Sequence, residues 1–183
     1  MNCASLFLVL AAALTPLAAS AQNPRVTRAA LAGLERKFDR AIPALDVSDP
    51  YDILGSVRGV YLPGYGVVFT TELSLAVTII TPFVPEMTVS DIQKLHQKKL
   101  KKLPALRQSM RQMLIDAAAA LDTVPPSEQV VLGVTLFYRN FEMKEGLPTQ
   151  IVMQAPRQAL LDYKADRTKS PQLDAAIRTQ DLF

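Results

Sequence analysis

Between residues 67 and 80 the chain alternates. Val67, Phe69, Leu73, Leu75, Val77 and Ile79 share one parity, and Thr70, Glu72, Ser74 and Thr78 share the other. A period of two predicts a strand with one buried face. Residues 55–62 read as a second strand, joined to the first through Pro63-Gly64-Tyr65-Gly66. Proline presets one turn position and glycine can take the positive-φ position that follows. Gly55 and Gly59 share a parity in this strand, which fits twist and close packing. They do not form a phosphate loop, because no helix and no Gly-Lys-Ser/Thr follow them. No nucleotide is expected.

Helical periodicity flanks the hairpin. Leu31, Leu34, Phe38 and Ile42 recur at spacings of three and four, predicting a helix over 26–42 capped by Thr27 and ended by Pro43. A longer stripe from Ile92 through Leu103, Leu106, Met110 and Leu114 to Leu121 predicts helix over 91–122, with Ser90 and Gln93 in capping-box spacing. A straight helix of that length spans about 48 Å. Pro104 lies inside it, so a kink or two helices is expected. Alternation returns at 128–142, the turn Lys144-Glu145-Gly146 follows, and 149–155 reads as a fourth strand. Pro156 suits the first turn of a helix over 156–166, and a last short helix starts at Ser170-Pro171 and includes Leu173 and Ile177. The order α-ββ-α-ββ-α predicts an α+β domain: an antiparallel sheet of about four strands from two hairpins, with helices mainly on one face.

The amino terminus has a different character. Residues 5–14 are an apolar run too short to span a bilayer as a helix, followed by Ala19-Ser20-Ala21. This is the pattern of a signal peptide over 1–21, although Met1-Asn2-Cys3-Ala4 carries no basic side chain. The expected mature chain, 22–183, is a single domain exported to the periplasm or the exterior, without a transmembrane helix. The one cysteine, Cys3, would leave with the leader. A thiol-free chain suits an oxidising compartment.

Charge is unevenly spread. The chain carries +3, yet residues 90–111 hold seven basic side chains against Asp91 alone, a local +6 that leaves −3 for the remainder. Lys94, Lys98, Lys101 and Lys102 fall near one helical face. Such a face would meet an anionic envelope polymer or lipid surface, against the plainer reading of a solvated helix. No aromatic interleaves with the lysines to stack bases.

Reactive side chains are scarce. The single histidine, His96, lies among lysines with no second catalytic element in sight, and reads as a surface or boundary residue. Asp46, Asp49 and Asp52 recur every third residue, where calcium loops alternate every second, so turn chemistry explains them. No metal or other cofactor is expected. Glu72 is an acid within a strand, with Arg58 on the neighbouring strand as a cross-strand partner. Glycoside hydrolysis would need a second convergent acid. Tyr61 and Tyr65 flank the hairpin turn and offer an aromatic contact surface for a sugar or peptide.

The composition therefore leans away from catalysis and toward a non-catalytic binding or structural module of the envelope. Two alternatives stand beside it. One is a small hydrolase using carboxylates and tyrosines. The other is an oligomeric scaffold, suggested by strands apolar on both parities, where Val131 and Phe137 accompany Leu132 and Leu136.

Overall fold

The computed structural model describes residues 26–78 and 87–183. The expected leader, and the end of the expected second strand with Pro82 and Pro85, lie outside them.

Helix α1 (Arg28–Ala41) begins at Thr27, whose hydroxyl accepts from the Ala30 N–H at 3.2 Å, and it buries Leu31, Leu34 and Phe38. A 3-10 turn at Pro43–Leu45 leads into the hairpin of β1 (Asp52–Leu62) and β2 (Gly66–Ser74). Helix α2 (Val89–Ala120) then carries the chain to a second antiparallel pair, β3 (Gln129–Leu136) and β4 (Gln150–Pro156). Helix α3 (Arg157–Ala165), a 3-10 turn, α4 (Ser170–Ala176) and β5 (Arg178–Leu182) complete it.

Among the described residues the fold is α+β, with four helices and a five-stranded, mostly antiparallel sheet in the order β1-β2-β3-β4-β5. It differs from the expected four-stranded antiparallel sheet in two respects. The central pair β2–β3 is parallel, running from Gly66 opposite Gln129 to Leu73 opposite Leu136. The cause is α2, which returns the chain to the end of the sheet where β2 began, so β3 must run the same way. The fifth strand replaces the tail of the expected last helix: Ile177 has extended backbone, and Thr179 to Asp181 pair with β4. Its residues Arg178-Thr179-Gln180-Asp181-Leu182 carry no apolar alternation, so only pairing makes them a strand.

Boundaries shifted as well. Strand β2 stops at Ser74 and β3 at Leu136, both short of the expected ends. Thr88 caps α2 rather than Ser90: its hydroxyl accepts from the Asp91 N–H, and the Asp91 carboxylate accepts from the Thr88 N–H. Helix α2 also runs through Pro104 as one element. An interior proline costs about 3 kcal/mol. Burying Leu103, Leu106, Met110 and Leu114 along the same face outweighs that at about 1.5–3 kcal/mol per side chain.

One core unites the layers. Val67, Phe69 and Leu73 of β2 and Val130, Leu132 and Val134 of β3 pack with Phe38 of α1, Met110 and Leu114 of α2 and Leu160 of α3. Strand β1 would be an open sheet edge, a template for unwanted pairing. Two acids one turn apart on α1 close it. Glu35 accepts the Gly59 N–H at 2.7 Å and Asp39 accepts the Val57 N–H at 2.8 Å. Arg28 grips Glu35 with two bonds, at 2.7 and 2.5 Å. Across the hairpin, the Phe69 ring lies over Gly59, where an added Cβ would stand 2.6 Å from the ring. Phe69 in turn meets Phe38 edge to face at 5.3 Å.

Of the glycines, Gly66 is the most constrained. Its φ is +140°, and an added Cβ would fall 1.9 Å from the Gln129 carbonyl oxygen. Gly66→Ala is therefore expected to destabilise the fold by roughly 2–4 kcal/mol, combining backbone strain with displacement at the β2–β3 seam. Urea denaturation measures it, and a loss under about 0.5 kcal/mol would refute the tight seam.

The Arg28 guanidinium, with smaller help from the Gly59 N–H, holds the Glu35 carboxyl below the usual carboxylate range despite burial. A lowered folded value means that the unfolded chain binds the proton first. The contribution of Glu35 is present above the ordinary glutamate range and is lost as pH falls through its depressed folded value. Glu35→Gln keeps the acceptor for Gly59 and should flatten the fall of stability between about pH 5 and 3, read from denaturation midpoints. An unchanged acid limb would count against the pairing.

Candidate functional site

Helix α2 is longer than the sheet it crosses. Lys99 stands beside Ser74, the last residue of β2, so residues 89–98 project beyond the strands. Among the described residues two loops cover this overhang. The 43–51 loop lies on one side and the 137–148 loop on the other, and each is anchored to α2 by polar contacts.

On the 137–148 side, Lys99 is fully buried, at 0% exposure. Its ammonium pairs with the buried Glu142 carboxylate, donates to Ser74 Oγ at 3.2 Å and sits 5.0 Å from the centre of the Tyr138 ring. Burial lowers the Lys99 pKa, and Glu142 offsets only part of that. The Tyr138 hydroxyl donates to the Pro148 carbonyl at 2.8 Å, and burial raises its pKa strongly. His96 is also buried, where a surface or boundary position was expected. Its Nδ1 lies 3.1 Å from the Met143 carbonyl, which can only accept, so Nδ1 carries the proton. Ser74 donates to the Ala76 carbonyl at 3.0 Å, and the Lys99 ammonium donates to Ser74 rather than accepting from it. Ser74 and Lys99 thus tie the end of β2 to α2 and to the 137–148 loop.

On the 43–51 side, Asp46 accepts from Ser48 Oγ at 2.8 Å and from the Asp49 N–H at 3.0 Å, closing the turn. Asp49 reaches Lys98 at 2.7 Å and Lys102 at 2.8 Å. Burial works against its charge, but Lys102 and Lys98 together hold its carboxyl below the usual range. Lys102 is buried and lies 4.8 Å from the Tyr51 ring centre, while the Tyr51 hydroxyl donates to the Lys102 carbonyl at 3.0 Å. Burial, aided by Asp46 and Asp49, pushes the Tyr51 phenol up to about 12. The aspartates at 46 and 49 thus act in a turn and an ion-pair clasp.

Between the 43–51 loop and the overhang lies an open cleft of about 620 Å³. Lys94, Lys98, Lys101 and Lys102 all line it, with Ser90, Gln93, Gln97, Asp46 and Asp49. Four lysines against two aspartates leave it net positive. The four are not equivalent. Lys102 and Lys98 are committed to Asp49, and Lys94 makes a long exposed contact of 3.8 Å with Asp91. Among the described residues Lys101 makes no ion pair. Two exposed valines stand next to the lining in sequence: Val47, 85% exposed, and Val89, 73% exposed.

The two tyrosines of the hairpin part company. Tyr61 is half-buried and its hydroxyl donates to Glu128 Oε1 at 3.2 Å, an oxygen that also accepts the Gly64 N–H at 3.0 Å. Burial and Glu128 both raise the Tyr61 pKa. Tyr65 is 46% exposed and faces a second pocket. Glu72 is exposed opposite Gly55 and Arg58 lies opposite Thr70, so the two are diagonal rather than directly opposed, and among the described residues no ion pair joins them.

Sequence reasoning missed the burial of Lys99, the partnership of Tyr61 with Glu128, and Arg157. Arg157 donates to the carbonyls of Ala118 and Val124 at 2.9 and 2.8 Å, capping the negative end of α2 with a buried cation. Only Lys99 left a trace, as one basic position in the run that sits off the exposed face. Among the described residues no helix is long and apolar enough to cross a membrane, and no three His, Cys, Asp or Glu side chains converge as metal ligands. Searches against protein-family models, curated proteins and solved structures found no match.

Breaking a buried pair from one side leaves an unpaired charge and typically costs about 3–5 kcal/mol, whereas removing both sides costs far less. Lys99→Met and Glu142→Gln should each destabilise by about that amount. The double variant should recover at least half of the summed loss in a urea double-mutant cycle. Strict additivity would show that the two groups do not act as a pair.

Proposed function

We propose that this is an exported envelope protein that acts by binding rather than catalysis, and that its partner is an anionic lipid surface engaged through the α2 cleft. The observation that carries the reading is the convergence of Lys94, Lys98, Lys101 and Lys102 on one open cleft at the projecting end of α2. Export rests on the apolar run at 5–14 and the Ala19-Ser20-Ala21 site that follows it.

Within the cleft, Lys94 and Lys101 supply the charge available to a headgroup phosphate. Lys98 and Lys102, held by Asp49, fix the 43–51 loop against the helix. The exposed Val47 and Val89 favour lipid over a soluble polymer, because an apolar side chain beside a basic patch gains by entering the acyl boundary. The bilayer is met from one side, as a surface.

Vesicle co-sedimentation tests this with phosphatidylglycerol in phosphatidylcholine, beside pure phosphatidylcholine and soluble polyphosphate. Binding is expected on the anionic vesicles and should weaken with salt. Lys94→Gln/Lys101→Gln should lower it about 30-fold, at about 1 kcal/mol per lysine. Val47→Ser/Val89→Ser should weaken vesicle binding and leave polyphosphate binding intact. Equal binding of the lysine variant would overturn the reading. Polyphosphate binding without vesicle binding would replace lipid by a polymer.

A further inference from the structure

A second concave site lies at the opposite end of the sheet, remote in sequence from the α2 overhang. It is a pocket of about 370 Å³ lined by Tyr65, Gln129, Gln154, Pro156, Arg178 and the end of α4. This volume falls in the ~300–1,000 Å³ range of small-molecule pockets.

Register explains why its polar groups converge. Val130 and Leu132 of β3 and Met153 and Ala155 of β4 point into the core, so Gln129 and Gln154 project from the other face. Gln154 pairs directly with Arg178 on β5, placing amide and guanidinium side by side. Gln129 pairs with Pro156, which makes it the diagonal neighbour of Gln154, within reach of a long side chain. Gln129, Gln154 and Arg178 therefore run obliquely across three adjacent strands. The hairpin turn brings Tyr65 over one end of this row, tied to β3 by the Gln129 N–H donating to the Tyr65 carbonyl at 2.8 Å.

The side chains are under-used. Among the described residues Arg178 makes no ion pair, and no carboxylate lines the pocket. The Tyr65 hydroxyl is 3.4 Å from Gln154 Oε1, long for an O–H···O bond and easily exchanged for a ligand oxygen. Two primary amides offer donors and acceptors together, matching hydroxyl groups, which also do both. A guanidinium fork matches a carboxylate. A tyrosine ring offers an apolar face with a polar tip.

We propose that this pocket binds a sugar acid: one hydroxylated ring carrying a carboxylate, with the acid on Arg178, hydroxyls on Gln129 and Gln154, and the ring against Tyr65. The site is independent of the α2 cleft and of what that cleft binds.

Amide-resolved NMR titration with glucuronate, glucose and inorganic phosphate tests the assignment. Glucuronate should give saturable shifts at residues 65, 129, 154 and 178 below about 10 mM, with glucose at least tenfold weaker. Arg178→Gln, on an exposed edge strand, should bring glucuronate down to the glucose level without changing glucose. Tyr65→Ala should weaken both sugars. Lys94→Gln/Lys101→Gln should change neither, which separates this site from the cleft. Equal affinity for glucuronate and glucose, phosphate shifting the same residues as strongly, no saturable response, or shifts confined to residues 94–101 would each overturn it.

Discussion

A mismatch of lengths organises the molecule. Strand β2 has nine residues, about 30 Å, whereas the 32 residues of α2 reach about 48 Å. A helix must bury its apolar stripe against something, and past Ser74 there is no sheet left to receive it. The 43–51 and 137–148 loops fill that place. Polar and charged side chains therefore replace strand contacts along the overhang and where it meets the sheet: Lys99 with Glu142, Lys102 and Lys98 with Asp49, and His96 with the Met143 carbonyl. The basic cleft is a product of the same mismatch, because the 43–51 loop meets the overhang along charged groups and leaves a hollow beside them.

The two ends of the sheet are finished differently. At β1 the chain uses α1 acids to satisfy edge N–H groups, and an aromatic ring to cover a glycine. At β5 polar residues are paired on one side with β4. Asp181 of that strand turns inward to Arg107 of α2, so the edge is fastened to the helix layer through charge. The pocket beside Tyr65 opens where this strand, the hairpin turn and α4 come together.

Much of this was legible in the sequence. Elements that bury one face leave a period, so α1, the β1–β2 hairpin, α2, β3 and β4 could be read from apolar spacing. The α+β class followed from their order. Pairing between distant strands leaves no such trace, which is why the parallel β2–β3 contact and β5 were missed. At Pro104 the helix is one element rather than two, because tertiary burial outweighs the local cost. The candidate cleft was visible as charge, since Lys94, Lys98, Lys101 and Lys102 recur at helical spacing. What a stripe of lysines cannot reveal is which of them meet an acid 50 residues before or 40 after. Lys102 falls on the same helical face as the exposed lysines with nothing in local sequence to mark it as interior, whereas Lys99 at least sits off that face. The second pocket was half visible. Tyr65 stood out beside the turn, but Gln129, Gln154 and Arg178 are ordinary polar residues until register aligns them.

The parallel seam has a consequence for how the chain reaches this state. Both hairpin pairs, β1–β2 and β3–β4, join near neighbours, whereas β2 and β3 meet across more than fifty residues of intervening sequence. Closing so long a span carries an entropic cost before any contact repays it, so non-local pairings form late. Gly66 sits at the start of that seam with its backbone pressed on Gln129. A close approach thus falls where the two halves of the chain meet, and a bulky residue there would obstruct the closing step as well as strain the β1–β2 turn.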